Sequence, residues 1–308
     1  MNVAASLLAC ISITLAWPAL SWANTAPVAV QTPFLLPEAR PPATMKLSAL
    51  TSGNMFSRAA FVYEGGGFSD RRTFNIGAIL VQHPAGNLLF DSGFGQQVDE
   101  HFKTIPRLLQ WLSRYEKGTT VAAQLAKNGI APGKLKAIVL THAHWDHVSG
   151  LDNFPGVPVW VTKQEEAFVV NGHSSTALAR QLGTRDYRTY GFSNGAYLGF
   201  AASCDVFGDG SGVLVPAPGH TPGSIIAFIA LPSGQRYALI GDLAWQAEGI
   251  DLPAEKPWIA RTLADNDAGA TRKLLQQMHA LKASFPSLVI VPAHDSRVWE
   301  KLPRLTAP

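Results

Sequence analysis

The sequence predicts an α/β fold, and three observations carry that prediction. Short apolar runs recur along the chain, segments with helical period separate many of them, and several runs stop at a histidine or an aspartate. Strands that end this way collect polar chemistry at one edge of a sheet, where sites on α/β architectures lie. With 308 residues, 47% of them apolar and 15% charged, the chain can bury a large core in one domain.

Residues 1–23 carry no charged side chain, and their apolar run closes in Ser21-Trp22-Ala23, which reads as a signal peptide cleaved near Ala23. The expected location is the periplasm or the medium, with no stable membrane insertion after cleavage. Cys10 leaves with that leader and Cys204 remains alone, so stability is expected from packing and metal ligation rather than from a disulfide. Residues 24–44, with Pro27, Pro33, Pro37, Pro41 and Pro42, lack any period and read as an extended arm or linker. The catalytic domain spans 45–308. Its first sheet is expected from strands at 46–50, 59–63, 74–82 and 88–90. Helical material follows over 99–127, with Leu108, Leu109 and Leu112 on one face, then Val121 and Leu125 on a second helix closed by Asn128-Gly129. Later strands are expected near 157–161, 212–215, 224–230, 237–240 and 288–291, and helices near 164–171, 175–182 and 267–285.

The densest chemistry is Thr141-His142-Ala143-His144-Trp145-Asp146-His147, directly after the apolar run Ala137-Ile138-Val139-Leu140. A tight loop after a strand aims His142 and His144 to one side and brings Asp146 and His147 to a second point, so two metal positions are expected. Three further segments end strands in ligand types: Pro218-Gly219-His220-Thr221-Pro222-Gly223, Ile240-Gly241-Asp242 and Val291-Pro292-Ala293-His294-Asp295. Five imidazoles and two carboxylates without a thiolate suit Zn²⁺ first, while Fe, Mn or Co fit the same nitrogen and oxygen shell. His83, His101, His173 and His279 have no such company and read as structural or surface residues.

This ordered pattern, H-x-H-x-D-H at 142–147 followed by His220, Asp242 and His294, resembles that of the metallo-β-lactamase superfamily. The early strand and turn Leu88-Leu89-Phe90-Asp91-Ser92-Gly93 is similar as well. The resemblance implies an αβ/βα sandwich, two mixed β-sheets packed together with helices on both outer faces. It implies one metal on His142, His144 and His220, a second on Asp146, His147 and His294, and Asp242 bridging them. Asp91 would support a ligand from behind, or else serve only its own turn. Two zinc ions per chain would hold a bridging hydroxide as nucleophile. Asp146 and Asp242 are then the catalytic carboxylates, with Asp146 passing a proton to the leaving group.

The net charge of +3 is dispersed, which argues against a nucleic-acid partner. No Gly-x-Ser-x-Gly elbow and no P-loop is present. A bridging Asp242 separates the chain from true β-lactamases, and the 14 residues after His294 leave no room for the C-terminal domain of glyoxalase II-like thioesterases. The pattern is more similar to N-acyl-homoserine lactonases and methyl parathion hydrolase-like enzymes, so the expected substrate is a small lactone or related ester. An organophosphate triester or aryl ester is the alternative, and a diiron redox protein the reading outside hydrolases. In many of those lactonases a tyrosine lies three residues after the bridging aspartate, where this chain has Trp245, which offers an N–H but no hydroxyl. Phe68 in the glycine-rich 64–68 loop, Trp145 and Trp245 are the candidate substrate contacts, with plain packing of either tryptophan and a simple flexible turn at the loop left open. Arg71 and Arg72 read as solvated surface charge, with steering of an anionic substrate the alternative. Many superfamily members dimerise, so a homodimer is compatible with the sequence.

Overall fold

The structure, a computed structural model, describes residues 36–306 apart from 106 and 183–186. The expected signal peptide and most of the 24–44 arm lie outside the described residues.

Strands β1 (Lys46–Arg58), β2 (Arg71–Gln82), β3 (Asn87–Phe90), β4 (Arg114–Lys117), β5 (Leu135–Val139), β6 (Val159–Thr162) and β7 (Tyr187–Tyr190) form one mixed sheet in the order β4-β1-β2-β3-β5-β6-β7. Strands β8 (Cys204–Asp205), β9 (Gly212–Pro216), β10 (Ile225–Ala230), β11 (Arg236–Leu239) and β12 (Leu288–Val291) form the other, in the order β12-β11-β10-β9-β8. Strands β3, β5, β6 and β7 run parallel to one another, as do β11 and β12.

The period-2 alternation of these strands builds three apolar layers. Ile79, Val81, Leu88, Phe90, Ala137 and Val139 of the first sheet face Leu214, Ala227, Ile229 and Leu239 of the second, and together they make the central core. Their sequence neighbours Ala78, Leu80, Leu89 and Ile138 point the opposite way, into an outer layer. Helices α1 (Val98–His101), α2 (Arg107–Leu112), α3 (Val121–Lys127), α4 (Trp145–Val148), α5 (Lys163–Val170) and α6 (Ala177–Gln181) belong to that half of the chain. Val121, Leu125, Val148, Val169 and Leu178 from these helices seal the first outer layer. Helices α7 (Glu248–Asp251), α8 (Trp258–Ala264), α9 (Ala268–Ser284) and α10 (Ser296–Trp299) belong to the other half of the chain, and Trp299 of α10 packs into the central core. Leu275, Met278 and Leu281 of α9 bury against Ile226, Phe228, Ala238 and Ile290. Each fully buried side chain of this kind contributes about 1.5–3 kcal/mol. Asp267 starts α9 by accepting from the Ala270 N–H at 2.9 Å. The architecture is an αβ/βα sandwich with helices on both outer faces.

Three local expectations change. Residues 59–63 are not a strand: β1 continues unbroken to Arg58 and a 3-10 turn covers Ala59–Phe61. The continuation depends on a register shift between Thr51 and Gly53, where a Cβ on Gly53 would meet Phe94 and the Glu116 carbonyl. The 99–127 segment is not wholly helical, because β4 inside it pairs with the far end of β1. The side chains of Leu108, Leu109 and Leu112 lie outside what the structure describes. Arg72 is not solvated either: its guanidinium pairs with Glu248 and Asp70, both at 2.6 Å, and its side chain is only 10% exposed.

Candidate metal centre

Every candidate ligand stands just past the end of a strand or on the short helix that follows one. Leu140-Thr141-His142 leaves β5, His144 precedes α4, and Asp146 and His147 occupy α4 itself. His220 follows β9, Asp242 follows β11 and His294 follows β12. The parallel runs β3/β5 and β11/β12 therefore deliver their ends to one edge of the sandwich. The Asp242 turn is tight: Gly241 adopts φ +50°, and a Cβ there would lie 2.9 Å from Thr141. A glycine satisfies both demands.

The structure brings all seven predicted ligands together. His142, His144 and His220 form one group, His142, His147 and Asp242 a second, and Asp146, His147 and His294 a third, each with its ligand atoms within 4.8 Å of one another. His142 Nε2 lies 3.2 Å from His220 Nε2, and His147 Nε2 lies 3.3 Å from His294 Nε2. Asp242 sits between the pairs, its Oδ1 3.0 Å from His294 Nε2 and 3.3 Å from His147 Nε2, its Oδ2 3.5 Å from His220 Nε2. His142, His147, His220, Asp242 and His294 are buried, whereas His144, Trp145 and Asp146 are half-buried and mark the solvent side.

The hydrogen bonds behind the rings decide which nitrogen is offered. The Asn75 carbonyl can only accept, so the 3.0 Å contact makes His294 Nδ1 a donor and turns Nε2 inward. His147 Nδ1 donates to Asp91 Oδ2 at 2.9 Å, and His220 Nδ1 donates to Asp265 Oδ1 at 2.8 Å. Thr141 gives its hydroxyl hydrogen to Asp91 and so accepts from His142 Nδ1 at 3.2 Å. Each of these four rings thus turns Nε2 toward the centre, the orientation that metal-bound imidazoles take.

The Asp91 carboxylate does not serve its own turn. Its Oδ1 accepts from Thr141 N and its Oδ2 from Thr141 Oγ1 and His147, all far away in the chain. Its backbone is held at φ +60°, a left-handed conformation unusual for a residue with a Cβ.

A cation fits this donor set. Asp242 Oδ1 is buried and makes no hydrogen bond although His294 and His147 Nε2 stand 3.0 and 3.3 Å away, and Nε2 atoms face each other in pairs at 3.2 and 3.3 Å. Burial, with the neighbouring rings His147 and His220, pushes His142 well below the usual imidazole range. Burial and His220 do the same to His144, and burial and Lys256 lower His220. Burial opposes charge on His147 too, but Asp91, Asp242 and Asp146 outweigh it and hold the ring well above its ordinary value. His294 is raised against burial by Asp242 and Asp146. Against its own burial, Asp242 is held well below the usual carboxylate range by His294 and His147. The Asp146 and Asp242 carboxylates that favour positive charge on these two rings would favour a divalent cation in the same place.

The candidate substrate contacts are placed differently. Trp145 packs on Phe94 and Phe102 with ring centroids 5.4 and 5.6 Å away. Trp245 Nε1 donates to Asp242 Oδ2 at 2.9 Å, so its single donor faces the ligand. Phe68 is 73% exposed and meets Phe61 edge-on at 5.6 Å.

Sequence reasoning missed Glu165, Lys256 and Asp265. Glu165 is buried and accepts from Ala143 N at 2.7 Å, Thr221 Oγ1 at 2.6 Å and Gly223 N at 3.1 Å, tying the 141–147 loop to the His220 turn. Burial, only partly offset by those donors, pushes its carboxyl up. Its setting Lys163-Gln164-Glu165-Glu166 looks like an exposed helix start, and Asp265-Asn266-Asp267 looks like ordinary capping.

Residues 72–294 match the family model described as Metallo-beta-lactamase superfamily, and the chain belongs to that superfamily. It is 29% identical over 252 residues to the probable metallo-hydrolase Rv2300c of Mycobacterium tuberculosis, covering 72% of this chain and 75% of the relative. It is 25% identical over 229 residues to the N-acyl homoserine lactonase AttM of Agrobacterium fabrum, covering 71% and 81%. Among solved structures, AiiA of B. thuringiensis with N-decanoyl-L-homoserine bound superposes with a TM-score of 0.66 at 17% identity, covering 84% of this chain and 96% of that one. The dizinc quorum-quenching lactonase AidC gives 0.57 at 16%, covering 88% and 94%. These two likenesses are of fold.

Proposed function

We propose that this metal-dependent hydrolase opens a lactone ring or cleaves a similar carboxylic ester, with N-acyl-homoserine lactones the first substrates to test. The supporting observation is the convergence of inward Nε2 atoms around the buried Asp242 carboxylate, on a chain related to AttM. The donor set suits two zinc ions: His142, His144 and His220 would hold one, Asp146, His147 and His294 the other, and Asp242 would serve both. When bound, such ions supply Lewis acidity toward a carbonyl and an activated water as nucleophile. The chain itself does the rest. Asp91, Asp265 and the Asn75 carbonyl keep three of the rings in orientation. Asp146, on the solvent side, accepts a proton from the attacking water and returns it to the leaving oxygen. Phe68 offers an apolar surface to an acyl group, on a loop tied to the protein through Glu64 N and the Glu255 carbonyl at 2.8 Å.

The test is hydrolysis by the zinc-loaded protein across acyl-homoserine lactones, simple γ- and δ-lactones, aryl esters, phosphotriesters, a glutathione thioester and a chromogenic β-lactam, with metal counted in parallel. Strong lactone preference with two zinc ions supports the reading. Preference for triesters or thioesters keeps the metal chemistry and replaces the substrate. Export belongs to the same proposal, because residues 1–23 have signal-peptide composition. A mature protein beginning at Asn24 supports it, and one that keeps Met1 refutes it.

A further inference from the structure

The two halves of the centre are backed by different charges. Behind His220, Asp265 is buried and shares its Oδ1 between His220 Nδ1 at 2.8 Å and Lys256 Nζ at 2.8 Å. Lys256 is itself only 3% exposed. Its Nζ also donates to the Asp242 carbonyl at 2.8 Å and to the Leu243 carbonyl at 3.4 Å, and it lies 5.4 Å over the Trp245 ring. Three oxygen acceptors around one Nζ match the three hydrogens of an ammonium. Behind His147, Asp91 is buried too, but its other partners are the neutral N–H and hydroxyl of Thr141. Among the described residues Asp91 has no lysine or arginine ion pair.

We propose that Lys256 makes the two metal subsites unequal by neutralising Asp265, so that His220 binds as a plain imidazole while His147, backed by an uncompensated carboxylate, binds more strongly. The proposal rests on the dinuclear reading above. A carboxylate behind a ligating histidine raises its donor strength, and a buried ammonium in contact with that carboxylate cancels the gain. Asp146 adds a second carboxylate to the His147 side, so both effects point the same way. The His142–His144–His220 subsite is then the weaker and more readily exchanged one. Lys256 acts here as a positioning and charge-setting residue and need not touch substrate.

The test is stepwise Co²⁺ titration of the metal-free full chain, read from the visible absorption of the bound ion. The wild type is expected to bind two ions with separate affinities, the weaker step disappearing in His144→Ala. Lys256→Met leaves Asp265 uncompensated and tightens the weaker step about tenfold, whereas Asp265→Asn loosens it by about the same factor. The double variant Lys256→Met with Asp265→Asn has neither charge and returns the step to near its wild-type affinity. A merely structural Lys256 predicts otherwise: both single variants loosen the step and the double variant is worse than either. That pattern overturns the proposal, as does equal affinity for both ions in the wild type. Binding of fewer than two ions by the wild type overturns the dinuclear reading and this inference with it. Should Lys256→Met not fold, Asp265→Asn together with the double variant still separates the two accounts.

Discussion

Trp245 donates its indole N–H to Oδ2 of Asp242 at 2.9 Å, three residues along the turn that follows β11. That bond leaves Oδ1 as the carboxylate oxygen without a hydrogen bond. Trp245→Phe keeps the ring packing against Phe74 and removes the donor. We expect two metals still bound at saturation and a turnover lower by about tenfold, measured by metal analysis beside steady-state kinetics. Loss of a metal in this variant would count against the placement.

Asp242→Ala removes the carboxylate that lies between the two pairs of rings, and His147→Ala removes a ring that belongs to two of the three groups. Each should lose one of two bound ions and hydrolysis together. A His147→Ala protein that retains two ions yet is inactive would contradict the ligand assignment.

Asp91→Asn tolerates the left-handed backbone but withdraws the charge behind His147. Affinity for the ion on the Asp146–His147–His294 side should fall by about 10- to 100-fold with the fold retained, as equilibrium dialysis against a chelator would measure. An unchanged affinity would reduce Asp91 to a turn residue.

Glu248 accepts from Arg72 at 2.6 Å and from Arg297 at 2.8 Å, joining the start of β2 to α7 and α10. Burial opposes its charge, but Arg297 and Arg72 lower its pKa from 4.5 to about 2. A depressed folded value means the stabilisation is complete above 4.5 and drains away as pH falls toward 2. Urea midpoints recorded across that window should drop less steeply in Glu248→Gln than in the wild type. Parallel curves would show that the cluster does not contribute to acid sensitivity.

Chelation should lower the melting temperature and zinc should restore it, since ions that bind only the folded chain stabilise it. With free metal about a thousandfold above Kd, each ion adds about 4.1 kcal/mol. Differential scanning with and without chelator measures the gain, and identical melts would argue against tight sites.

The ligand types and their order were legible in the chain because metal chemistry is written in side-chain identity and local spacing. His142, His144, Asp146 and His147 lie in one loop, and His220, Asp242 and His294 each follow an apolar strand. The strands of the central core were legible for a related reason: strands buried on both faces read as near-continuous apolar runs. The sequence by itself therefore determined an α/β chain with a histidine-rich centre at its strand ends. It misread 59–63 as a strand, because an apolar run cannot reveal that a bulge at Gly53 carries β1 past the expected boundary. It could not show that Arg72 pairs with Glu248, 176 residues away. Only the tertiary structure decided which groups stand behind the ligands: Asp91 at His147, Asp265 with Lys256 at His220, and Glu165 between two loops. Those partners are recruited across the fold by burial, where an unpaired polar group costs free energy and each must find a mate wherever the packed chain brings one.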